Sequence, residues 1–340
     1  MRNILTAISL VAVAVLSPAC EKDGSNIKIK GSGELSDTER TLLGQLPAGA
    51  QLVFGGSYKK FMDYWNNSPM KKMVASMTPN SGVMSEWMDC WTNVSDVAIA
   101  GSFESSDDTN RVRILFQGLE KSMLEECAQK TSIDLKKDDD GKYLELSGVP
   151  DGLGGTSTMG YYFTDDNTAL IAMDITGLTP GTKPIPATRA QLEADIAKAA
   201  ASPAVDSAGI KELLKKADRS KPFWFSGTAA NTALAEKVKD GHGWIDTSKD
   251  AITFRFSVAL VDASDAKKAV DAFGQAKSQL KDAPAAALPG GEQTKDVALA
   301  FFKGASLSHS GGTLTGNFEL TNDMLEKLLP LASMMGPGMR

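Results

Sequence analysis

Histidine is almost missing from this chain of 340 residues, which holds only His242 and His309. A multi-histidine zinc centre is thereby excluded, and neither residue stands in an HExxH or comparable ligand spacing. His309 lies in SLSHSGG between Ser308 and Ser310, but a glycine-turned hairpin is not the strand-to-helix GxSxG elbow of a serine hydrolase, so it reads as a polar strand residue. His242, in GHGW, reads as a turn residue beside Trp244. Cysteine is scarce as well, at positions 20, 90 and 127 only. Nothing beside Cys90 or Cys127 supplies a histidine or a basic cluster, which argues against a reactive thiolate. Positive charge is in deficit, with 36 Lys and Arg against 42 Asp and Glu. Nucleic acid is therefore a poor partner, and anionic headgroups repel such a surface. The glycines of GSGELSD and GLGG lack GxGxxG spacing, so a phosphate cradle is unsupported. Asp138, Asp139 and Asp140 are consecutive, whereas a calcium loop alternates its ligands; a solvated turn is the first reading and weak calcium binding the second. No cofactor is expected.

Long apolar runs are also missing, with one exception at the N-terminus. Ile4 to Leu16 follows Arg2 and leads through Ser17-Pro18-Ala19 to Cys20. The run is shorter than the ~20 residues needed to cross a bilayer, so it reads as a secretory signal over residues 1–19 rather than a permanent span. Cys20 directly after Ala19 fits a lipobox-like cut site. Ser17-Pro18-Ala19 also satisfies the small-x-small rule of an ordinary secretory signal, and Leu16 lies one position earlier than the usual lipobox leucine. The polar, Gly- and Ser-bearing stretch of residues 20–36 then resembles a tether. Lipidation of Cys20 is the favoured reading, with membrane attachment through the acyl chains. Glu21, rather than Asp, points to the outer membrane, at its periplasmic or surface face. If Cys20 carries the lipid, Cys90 and Cys127 remain as an even pair, which an oxidising compartment would hold as a disulfide. The alternative is two separate buried thiols.

The remainder predicts an α+β fold in two related lobes, each an antiparallel sheet built from hairpins with helices packed on one face. The first lobe, residues 37–175, opens with helix SDTERTLLGQL and strand AQLVFGG, then the helical KKFMDYW, broken at Asn67 to Pro69. Hairpins VSDVAIAGSF/RVRILFQGL and TMGYYFTDDNTALIAMD flank helix EKSMLEECAQKT and strand KYLELSG. Residues 176–187, rich in Pro, Gly and Thr, read as a linker. The second lobe, residues 188–333, starts with a capping box at Thr188 and Gln191. It continues through helix SAGIKELLKKAD, strand KPFWFSGTA, helix NTALAEKVKD, hairpin GWIDTSKDAITFRFSVALVD and a helix from Ala263 to Asp282 capped by Asp262. An Ala/Pro/Gly loop, a hairpin turning at Gly311-Gly312 and helix NDMLEKLLPLA complete it. Residues 334–340 read as a frayed tail. Hairpin, long helix, hairpin recurs in both halves, which suggests a duplication.

The strand Leu46 to Gly55, the cysteine positions 90 and 127, and the hairpin YYFTDDNTALIAM resemble a family of uncharacterised bacterial lipoproteins built from two divergent α+β repeats. The resemblance spans about Leu46 to Asp174. It implies the fold and a Cys90–Cys127 disulfide, and it brings no activity.

One stretch carries Met70, Met73, Met77, Met84 and Met88 with Trp65, Trp87 and Trp91. Such a stripe is core in most proteins; its functional reading is a groove for an acyl chain or an apolar peptide segment. Copper(I) binding by thioethers is a remote third, with no Met-x-x-Met cluster beside a histidine. The function expected is that of a lipid-anchored, non-enzymatic envelope protein that binds or scaffolds a protein partner or an apolar ligand. The alternative is an envelope hydrolase using a carboxylate pair, such as Glu145 with an Asp of the second lobe.

Overall fold

The computed structural model describes residues 31–69, 86, 90, 97–105, 110–131, 133–150, 156–175, 185–229, 235–285 and 291–327. Their strands form one antiparallel sheet. β1 (Leu52–Ser57), β2 (Ala98–Ser105), β3 (Asn110–Gln117), β4 (Asp134–Lys137), β5 (Tyr143–Pro150), β6 (Thr156–Asp165), β7 (Thr168–Ile175) and the short β8 (Ile185–Pro186) come from the first half of the chain. β9 (Phe223–Thr228), β10 (Val238–Thr247), β11 (Ala251–Leu260), β12 (Ser306–Ser310) and β13 (Thr313–Thr321) come from the second. The order across the sheet is β12-β13-β11-β10-β9-β1-β2-β3-β7-β6-β5-β4, with β8 on β7.

The α+β class and the hairpin-built antiparallel sheet are as expected. The two sheets expected for separate lobes are, however, a single sheet, joined where β1 pairs with β9 around Phe54 opposite Phe225. From that joint the order runs outward alike in both directions: β1-β2-β3-β7-β6 on one side, β9-β10-β11-β13-β12 on the other, with β5 and β4 extending the first.

Helices occupy both faces, at staggered positions. On one face α1 (Asp37–Leu43), α4 (Arg189–Ala201), a 3-10 turn (Ala204–Asp206) and α5 (Ala208–Lys216) cover the middle of the sheet. Leu42, Leu43, Leu192, Val205, Ile210 and Leu214 pack there on Val53, Ala100, Leu115, Leu170, Trp224 and Trp244. On the opposite face α3 (Lys121–Thr131) covers one end, where Leu124, Cys127 and Ala128 meet Leu144, Leu146, Tyr161 and Phe163. At the other end of that face α6 (Ala263–Asp282) and α7 (Gly291–Gly304) place Ala266, Ala269, Phe273 and Phe301 against Leu307, Leu314 and Phe318. Strands β11 and β13 are accordingly apolar toward α6 and α7 and polar on the reverse, where Arg255 donates to Asn317 at 3.0 Å.

Local signals set most boundaries. The Ser36–Glu39 and Thr188–Gln191 capping boxes form as expected, and Asp262 caps α6 by accepting from the Ser264 amide. α2 (Tyr58–Asn67) stops at Ser68, ahead of Pro69. The β12–β13 turn needs glycine, because Gly311 holds φ at 54°. Two segments differ from expectation. The end of the expected helix NTALAEKVKD is strand, since Asp240 pairs with both Thr228 and Ala259, and the Ala/Pro/Gly loop is followed by helix α7. The expected linker of residues 176–187 does not divide the fold into separate packing units: α4 beyond it lies on strands of the first half.

Candidate functional site

Glycines and aromatic rings stand opposite one another across the sheet. On the face that carries α3, α6 and α7, the register runs Gly101, Phe54, Phe225, Gly243, Phe256, Gly316 from β2 to β13. Each ring lies over the glycine of a neighbouring strand. A Cβ added at Gly101 would run into the Phe54 ring, one at Gly243 would meet Phe225 at 2.7 Å, and one at Gly316 would run into Phe256. Leu52 takes the same place over Gly227, 2.8 Å from such a Cβ. The opposite face repeats the device with Trp224 over Gly55 and Tyr143 over Gly160. Glycine normally weakens a strand because it offers nothing to pack; here a flat ring fills the gap.

Between α3 at one end and α6 and α7 at the other, with α2 packed against β10, these rings form an apolar floor across β10, β9, β1 and β2. Leu52, Phe54, Phe103, Phe223, Phe225 and Ile245 are all only partly buried, while their neighbours on the reverse face, Val53, Ala100 and Trp224, are sealed. Phe54 and Phe223 rings sit 5.7 Å apart. Sequence reasoning missed this floor. Its signal was the period-2 pairing of Leu52 with Phe54 and Phe223 with Phe225, set beside glycine-bearing strands.

Of the groove residues read from the sequence, Met70, Met73, Met77, Met84, Met88 and Trp87 lie outside the described residues, as does the lipidation candidate Cys20. Trp65, on α2, stacks on Phe61 with ring centroids 6.2 Å apart, and its indole N–H is buried with no acceptor among the described residues. Cys90 and Cys127 form a disulfide with Cα atoms 5.7 Å apart, tying residue 90 to α3.

Charge is organised on the reverse face. Arg111 holds both Asp174 oxygens at 3.0 Å and Asp195 at 2.9 Å; Arg113 reaches Asp195 at 2.9 Å and Glu104 at 2.8 Å, and Glu104 also accepts from Lys198 at 3.2 Å. Three cations balance three carboxylates, fixing α4 to β2, β3 and β7. The aspartate turn binds a side chain: Asp138 and Asp140 both accept from Arg189. The Arg189 hydrogen bond draws the Asp140 carboxyl down to about 2. Glu145 pairs with Lys136 at 3.5 Å near the β4 edge, far across the strand order from β10 to β13. His242 is buried on β10, and burial, reinforced by Lys216, lowers its pKa to about 4. No cluster of three or more His, Cys, Asp or Glu suited to a metal ion occurs among the described residues, and no described helix is long and apolar enough to cross a membrane.

No known family model matches this chain, and no curated protein does. Among solved structures it is similar to TP0453, a treponemal protein. Crystal form III aligns at 8% identity over 86% of this chain and 97% of that one, with a TM-score of 0.44. Form I covers the same shares with a TM-score of 0.41, and form IV covers 95% of its own chain with 0.42.

Proposed function

We propose that this protein is a non-enzymatic, lipid-anchored module of the bacterial envelope that binds an apolar ligand of hydrocarbon character. The observation that carries the binding reading is the phenylalanine floor. Its rings present no hydrogen-bonding group and are left partly exposed, which suits an occupant recognised by area and shape alone. The disulfide supports the envelope setting, since such links persist in oxidising compartments. With Cys90 and Cys127 paired, Cys20 is the odd cysteine, at the end of the apolar run where a lipid would be attached.

Two measurements test the two halves of this reading. The native protein should bind a hydrophobic fluorescent dye, and Phe225→Ser should cut that binding several-fold with the disulfide retained; a native protein that leaves the dye dark overturns the apolar-ligand assignment. Cys20→Ser, or treatment with globomycin, should leave an unprocessed precursor. Normal cleavage with release of soluble protein overturns the anchor.

A further inference from the structure

Arg219 is the most completely enclosed ionic group near the start of the described chain, with a side chain 1% exposed. It joins β9's approach to the N-terminal segment. Its guanidinium donates to the carbonyls of Leu214, Gly33 and Glu34 and to Glu39 at 2.7 Å, and its amide donates to Ser32 Oγ at 2.7 Å. Backbone bonds complete the hold: Ser32 N–H to Ala217 O at 3.0 Å and Gly33 N–H to Lys215 O at 3.1 Å. Lys215 pairs with Glu34 at 2.9 Å. At Gly31 the chain passes so close that an added Cβ would collide with the Lys215 carbonyl. A buried arginine that satisfies three carbonyls and a carboxylate is costly to withdraw, so the N-terminal segment is clamped at one fixed point, the corner where α5 ends and β9 begins.

We infer that this clamp sets which end of the molecule faces the membrane, an inference that rests on the lipid anchor proposed for Cys20. Eleven links separate Cys20 from Gly31 and span at most about 38 Å. The clamp lies at the end of the sheet where β9 starts and β10 finishes, Phe223 opposite Ile245. The ten residues of β10 carry the sheet about 33 Å to its opposite end. Bringing that far end to the bilayer would oblige the linking residues to run back along the body for nearly their whole reach, at a large loss of chain freedom. The clamp corner, with Lys216, Ser220 and the 248–250 turn, therefore faces the lipid headgroups, and the Gly311 turn and Lys237 point away.

The test uses full-length lipidated protein in phosphatidylcholine vesicles containing a headgroup acceptor fluorophore. Donors are placed singly at exposed sites by Lys216→Cys and Lys237→Cys, labelled without reduction. Energy transfer from position 216 should exceed that from position 237, which lies beyond the start of β10 at the far end of the sheet. Equal transfer from protein that floats with the vesicles overturns the orientation. Wild-type protein that fails to float with vesicles overturns the anchor, and the orientation falls with it.

Discussion

Gly101 sits where a methyl group meets the Phe54 ring and the Arg113 carbonyl at once. In an open strand Gly→Ala gains up to about 1 kcal/mol from reduced chain entropy. Here the added atom forces a ring and a backbone apart, at about 1–3 kcal/mol, so overpacking wins and Gly101→Ala should lower the urea midpoint. An unchanged midpoint would mean that the Phe54 ring can move aside freely. His242 gives a pH prediction of definite sign. Its folded pKa of about 4 lies below the ordinary 6.5, so between those values the unfolded chain binds the proton that the folded one refuses. Stability is complete above pH 6.5 and falls on acidification toward pH 4, by about 3 kcal/mol in all. Urea titrations at pH 7 and 4.5 should show this loss for the wild type and its reduction in His242→Gln. The Asp140 carboxyl, lowered to about 2, titrates below that window and does not obscure it. Neither residue was legible in the sequence for what it does: GHGW suggested a turn, and only the pairing of His242 with Ser226 beneath α5 buries it.

Helix α4 shows how an element is placed by charge as well as by greasy surface. Asp195 on its inner side is the shared partner of Arg111 and Arg113. Replacing it with alanine would leave Arg113, 3% exposed at its side chain, with one carboxylate fewer in a dry setting. Breaking a buried pair on one side costs about 3–5 kcal/mol, and Asp195→Ala should lower stability by that amount in chemical denaturation. A loss below about 1 kcal/mol would assign the cluster the small worth of a surface pair. Its start was readable, because the Thr188–Gln191 box is a local signal. Its partner strands were not, since arginines on β3 advertise no address. The same division explains the strand at Val238–Asp240. Its residues suit a helix, and long-range pairing with Leu260, Ala259 and Thr228 overrides that preference. α7 escaped notice because only Val297 along it is fully buried, too sparse a stripe to stand out beside Ala- and Gly-rich sequence.

The β1–β9 joint decides the behaviour of the whole molecule. Each strand has two hydrogen-bonded neighbours, β2 and β9 for β1, β1 and β10 for β9. Cutting the chain in the expected linker would bare both edges, each a row of unpaired amides beside phenylalanines, an arrangement that invites self-association. Intact protein should therefore unfold in one calorimetric transition, and an isolated piece comprising residues 31–175 should aggregate or dimerise. Two separate transitions, or a monomeric and soluble 31–175 piece, would restore two independent lobes. The sequence by itself determined the class, the hairpin turns, the capped helix starts and the even cysteine pair, because these depend on residues near one another or on simple counts. Only the tertiary structure decided that both halves share one sheet, that rings on one strand fill glycine gaps on the next, and that Arg219 holds the start of the chain. Those are pairings across long stretches of sequence, Phe54 with Phe225 and Gly33 with Arg219, and no local propensity specifies which distant partner will close them.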